Sequence, residues 1–142
     1  MRRLALVLVV GLSLAACGGS SNSTTTGPDA EAQIKSAYKT FFSPNSALAA
    51  RIAVLQNGEQ FKPVIQSFAS NPLAKNASVT VSSVTLQGSD KAKVVYVIKL
   101  GGSALPKQNG TAVLQGGTWK VGYASLCRLV ELQGVTPPAC KP

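Results

Sequence analysis

The sequence predicts an α+β fold in which N-terminal helices pack on a curved antiparallel sheet of about four strands. Apolar residues recur every three to four positions between residues 29 and 69, then switch to alternation between Val79 and Val121. Helical and extended segments are segregated along the chain, which argues against the repeated strand–helix–strand order of a parallel sheet. The 114 residues of 29–142 are enough for one hydrophobic core and too few for two, so a single domain is expected there.

The first helix is expected over residues 29–43. Ile34, Ala37, Tyr38, Phe41 and Phe42 share one face, and Asp29 and Glu31 put negative charge in the first turn, where unpaired backbone N–H groups favour it. Ser43-Pro44 ends it, because the residue before a proline avoids the helical region. A second helix is expected over residues 46–56 on the stripe Leu48, Ile52 and Leu55, with Asn57-Gly58 as its stop. A third, over residues 59–69, carries Phe61, Val64, Ile65 and Phe68 and tolerates Pro63 only in its first turn.

From there the period changes. Val79 and Val81 lie on one alternation and Val84 and Leu86 on the other, which places a bulge near Ser82-Ser83. After the turn Gly88-Ser89-Asp90, the residues Ala92, Val94, Tyr96, Ile98 and Leu100 form the clearest strand face, with Lys93, Val95, Val97 and Lys99 opposite. Val95 and Val97 in the middle of that second face are more than a freely solvated face needs, so something is expected to cover it. A loop over 101–110 leads to a strand over 111–115. Gly116-Gly117 then turns it into a strand over 118–123 bearing Trp119, Val121 and Tyr123. A last short helix follows over 125–132, with Leu126, Leu129 and Val130 inward and Gly134 as its stop.

The chain opens Met-Arg-Arg, continues with thirteen apolar or small residues over 4–16, and reaches Leu14-Ala15-Ala16-Cys17. A spanning helix needs roughly twenty apolar residues, so this run is a signal rather than an anchor. It resembles a bacterial lipoprotein signal: residues 1–16 are removed, and a diacylglyceryl group joins the Cys17 thiol. Each buried acyl methylene contributes about 0.8 kcal/mol, enough for several chains to hold a small domain on a membrane. Residues 17–28 then form the lipidated cysteine and a Ser/Thr/Gly tether too polar to pack. The expected location is the outer face of the bacterial cytoplasmic membrane, with shedding as a further fate. Cys127 and Cys140 remain in the mature chain. In an exported protein such a pair is expected as a disulfide, and the Cys-x-x-Cys spacing of a redox or metal pair is missing.

The full chain has 14 basic and 5 acidic residues; without Arg2 and Arg3 the balance is 12 to 5, a net charge of +7. Outside a cell this surface meets no nucleic acid. Anionic envelope lipid or polymer is a candidate partner, set against lysines that simply keep the surface soluble. The chain contains no histidine, which removes the commonest general base, the usual triads and most zinc sites, so neither metal nor cofactor is expected. Asp29, Glu31 and Glu59 suit first helical turns, Asp90 a hairpin turn, and Glu131 a helix face beside Arg128, so no catalytic residue is assigned.

The aromatic helix segment Tyr38 to Phe42, the valine-rich middle strands, and Gly116-Gly117-Thr118-Trp119-Lys120-Val121 followed by Ser125-Leu126-Cys127 resemble the actinobacterial secreted lipoproteins of the low-molecular-weight-antigen type. The resemblance covers most of residues 29–135. It implies a domain similar to nuclear transport factor 2, in the cystatin-like group, with the sheet curled around the first helix, and it implies no known catalytic set. Folds of this shape often leave a cavity between the first helix and the sheet. A filled core is the first expectation. If there is a pocket, Tyr38, Tyr96 and Trp119 are its candidates, since each joins an apolar body to a polar tip. The leading functional reading is a non-catalytic surface lipoprotein acting as a binding or scaffold module, with a homodimer formed through the Val95 and Val97 face. The alternatives are a carrier of lipid or another apolar ligand and, third, a cyclase- or isomerase-like enzyme that would need Asp90 or Glu59 in the cavity.

Overall fold

The computed structural model describes residues 27–141. The signal peptide expected over 1–16, Cys17 and nearly all of the tether lie outside the described residues. Helix α1 spans Pro28–Phe42, with proline at its start, Asp29 and Glu31 in its first turn and Lys39 in its last. It ends where Ser43, before Pro44, takes an extended conformation. Helix α2, Leu48–Ala53, is shorter than expected at both ends. The segment after it is drawn into the sheet: Leu55 bridges Val121, the Gln56 N–H donates to the Val121 carbonyl at 2.8 Å, and the Val121 N–H donates to the Val54 carbonyl at 2.8 Å. A 3-10 turn at Gly58–Phe61 precedes helix α3, Lys62–Ser70, and a second one occupies Pro72–Asn76.

The sheet follows. Strands β1 (Ser78–Gln87), β2 (Lys91–Leu100), β3 (Ser103–Ala104), β4 (Gln108–Gln115) and β5 (Thr118–Val121) are all antiparallel, in the order β1-β2-β4-β5 with β3 beside the end of β2. The expected bulge is present, since the β1–β2 register shifts between Val81 and Ser83 and returns Val84 to the face of Val79 and Val81.

The region expected as a loop over 101–110 is mostly extended. Gly101 and Gly102 both have positive φ, 57° and 87°, and close a tight turn that lays β3 and then β4 back on β2, with only the Pro106 neighbourhood unpaired. Low β-propensity at Gln108-Asn109-Gly110 hid this strand, and the exposed edge of β2 decides its pairing. Tyr123, expected on the last strand, instead begins helix α4, Tyr123–Glu131, whose 3.6-residue stripe of Leu126, Leu129 and Val130 outweighs the alternation.

Helix α1 lies in the concave face of the sheet. Its Ala30, Ile34, Ala37, Tyr38, Phe41 and Phe42 pack on Ala92, Val94, Tyr96 and Ile98 of β2, Ala112 of β4 and Trp119 and Val121 of β5 within one core. Phe61 of the preceding 3-10 turn, Ile65 of α3 and Leu126 and Leu129 of α4 close the same core. At about 25 cal/mol per Å2 of apolar surface removed from water, this layer is the main stabilising term of the fold. Among the described residues no helix is long and apolar enough to cross a membrane.

Candidate functional site

The three aromatic residues singled out from the sequence meet in the core rather than at an opening. Tyr38 and Tyr96 have ring centroids 5.0 Å apart, and Tyr38, Tyr96 and Trp119 are all buried. The Tyr38 hydroxyl donates to the Thr111 carbonyl at 2.8 Å and lies 3.1 Å from Ser125 Oγ, which accepts the Thr111 N–H at 2.9 Å. Burial holds the Tyr38 phenol far above its ordinary range, against the opposing hydrogen bond from Ser125. Burial pushes Tyr96 up to about 12, with the positive charge of Arg128 pulling the other way. The Trp119 indole N–H has no hydrogen-bond partner among the described residues. These residues form a filled interior between α1 and the sheet.

Thr111 and Ser125, held from behind by the buried Tyr38 hydroxyl, line a solvent-open cleft of about 500 Å3. One wall is the outer face of the sheet. Register pairs Thr85 of β1 with Lys93 of β2, and Lys93 with Thr111 of β4, so these three side chains stand in one row across three strands. Val95 and Asn109 are paired in the neighbouring row. The other wall is the first part of α4, with Ala124, Ser125 and Arg128. Helix α4 reaches this place because β5 ends at Val121 and the chain turns directly into the helix, leaving Ser125 to bond the edge of β4 where β5 no longer does. Lys93 and Arg128 are exposed, and no carboxylate lines the cleft.

Sequence reasoning missed this site. Lys93 and Arg128 are ordinary surface cations at sequence level, and nothing in their spacing brings β2 and α4 together. One signal was available: a glycine at 110 inside a strand marks a close backbone approach. A Cβ at Gly110 would lie 2.5 Å from the Tyr38 hydroxyl and 2.7 Å from Ser125 Oγ.

The acids lie elsewhere. Glu59 is exposed in the 3-10 turn before α3 and Asp90 is exposed in the β1–β2 turn, so neither reaches the interior between α1 and the sheet. Among the described residues no group of His, Cys, Asp and Glu could hold a metal ion. Cys127 and Cys140 are joined, with Cα atoms 5.5 Å apart, and the bond fastens the 3-10 turn Pro138–Cys140 to α4. Arg51 is a buried cation without a carboxylate partner. Its Nη2 donates to the Ser43 carbonyl at 2.6 Å and its Nε to the Ser46 carbonyl at 3.3 Å, and desolvation lowers its pKa from the ordinary guanidinium value. The charge caps the C-terminal end of α1, where the helix leaves carbonyls unpaired.

A second opening lies at the mouth of the curled sheet. Phe68, Leu73, Ile98, Leu100, Leu105 and Leu129 line an apolar cleft of about 400 Å3, with Leu73 and Leu132 exposed at its rim.

Helices on a curled antiparallel sheet, a filled aromatic interior and a basic outer cleft define a small α+β domain without a recognisable catalytic constellation among the described residues. Residues 27–137 match the family of the low molecular weight antigen MTB12, C-terminal domain, and the chain belongs to that family. A solved structure from Campylobacter jejuni described as a "Putative NTF2-like transpeptidase" is similar at 14% identity over 65% of this chain and 95% of that chain, with a TM-score of 0.46. No curated protein gives a significant match.

Proposed function

We propose that the chain is a non-catalytic, exported lipoprotein, anchored through Cys17, whose domain is a binding or scaffold module at the outer face of the bacterial cytoplasmic membrane. The observation that carries this reading is the contrast between a filled interior and an open outer cleft. The aromatic residues occupy the space between α1 and the sheet, whereas the polar and cationic side chains converge at the surface. The exposed positions of Asp90 and Glu59 support the non-catalytic reading over a cyclase- or isomerase-like one. Val95 and Val97 are half-buried on the same outer face, and a homodimer formed there would cover part of the cleft.

Metabolic labelling with a clickable palmitate in an exporting bacterial host tests the anchor. The wild-type chain takes up the label and stays with the membrane, whereas Cys17→Ala is unlabelled and released. A labelled Cys17→Ala chain overturns the assignment. The mouth cleft supports a second reading, a carrier that holds an apolar ligand at the rim rather than inside the core. Native mass spectrometry of the exported chain followed by organic extraction separates the two. A reproducible bound apolar species favours the carrier, and a clean apo mass favours the interaction module.

A further inference from the structure

We infer that the cleft between the outer sheet face and the start of α4 binds an anionic carbohydrate, a sugar unit bearing a phosphate or a carboxylate. This rests on the reading of the domain as a binding module and names the ligand class of its site.

Two features specify charge. Lys93 and Arg128 come from different elements and face one opening, and no carboxylate stands in its lining. Among the described residues the one ion pair is Lys35 with Glu31, both on α1. The two cleft cations therefore have no ion-pair partner among the described residues, and an anion in the cleft meets positive charge from both walls. Ala124 and Ser125 belong to the first turn of α4, whose N-terminal end adds partial positive charge to the same wall.

Three further features specify a sugar rather than a bare anion. The cross-strand row of Thr85, Lys93 and Thr111, with Asn109 beside it, presents hydroxyl and amide groups in line, the complement of a polyol. Val95 on the sheet wall and Ala124 on the helix wall add apolar surface for the C–H groups of a sugar ring. A cleft of about 500 Å3 is also far larger than an inorganic phosphate requires. Ser125 Oγ is already engaged with Tyr38 and the Thr111 N–H, so it holds the floor, and Lys93, Arg128, Asn109 and Thr111 meet the ligand.

The test is an amide-resolved NMR titration of the exported full-length chain in detergent with glucose 6-phosphate, glucuronate, glucose and inorganic phosphate. Either charged sugar shifts the amides of Lys93, Asn109 and Thr111 and binds at least tenfold more tightly than glucose or phosphate. Lys93→Gln and Arg128→Gln each weaken it about tenfold, while Lys120→Gln, off the cleft, changes it less than twofold. Equal affinity for glucose or phosphate, or equal weakening by Lys120→Gln, overturns the inference. Vesicles with and without phosphatidylinositol identify the source: vesicle binding competed by glucose 6-phosphate supports a lipid headgroup, and binding of soluble sugars alone supports a free or polymeric sugar. If no amide shifts while native mass spectrometry retains another ligand, the carbohydrate assignment falls and the binding-module reading stands.

Discussion

Gly110 and Arg51 each rest on one side-chain fact that alignment of polar and apolar residues does not reveal. At Gly110 the backbone of β4 runs against the Tyr38 hydroxyl, Ser125 Oγ and the Tyr96 ring, so Gly110→Ala must displace all three or move the strand away from them. Overpacking of this kind costs about 1–3 kcal/mol, to be read as a lower urea midpoint at an unchanged slope. Arg51 bonds the Ser43 carbonyl at the end of α1 and the Ser46 carbonyl in the turn that follows. Arg51→Met leaves both without their charged donor and lowers stability by about 2 kcal/mol in the same assay, whereas Arg51→Lys keeps the charge, loses the fork and falls between. The role of Arg51 was not legible from sequence, because a lone arginine on a short helix has the same composition whether buried or exposed, and the signal at Gly110 is readable only once its polar stretch is known to be a strand.

Long elements follow their periodicity, and short ones yield to their neighbours. Helix α1 and strand β2 agree with their patterns to within a residue or two, since each presents a complete apolar face. Helix α2 is truncated because residues 54–56 satisfy the open edge of β5 better as an extended segment. The disulfide acts at this scale as well. Replacing Cys127 and Cys140 together by serine removes a cross-link spanning 13 residues, worth about 3 kcal/mol on the chain-entropy model. Hydrogen exchange in the double variant is expected to rise over residues 133–141 and stay unchanged in β2 and β4. Uniform deprotection of the sheet would show instead that the tail is part of the global folding unit.

For the whole molecule, the two buried phenols set the alkaline limit. Both pKa values are raised in the folded state, so above pH 10 the unfolded chain loses phenolic protons that the folded chain retains. Their contribution is fully present below pH 10 and falls as pH rises through about 12, by about 1.4 kcal/mol per pH unit for each tyrosine. Denaturant midpoints measured between pH 9 and 12 are expected to drop, and Tyr96→Phe is expected to flatten part of that slope. An unchanged slope in the variant would show that Tyr96 takes no part in the alkaline loss.

Periodicity, turn chemistry and cysteine count are local properties that the chain carries wherever it packs, and from them the fold class, the helices-then-sheet order, the bulge in β1 and the cysteine pairing could be read. Packing settled the rest: Tyr38, Tyr96 and Trp119 fill the core, the segment after β2 pairs as strand, and Lys93 and Arg128 share a cleft with no acid in its lining. These are long-range facts. They follow from where α4 lands after β5 ends, and that position depends on the packing of the entire sheet around α1.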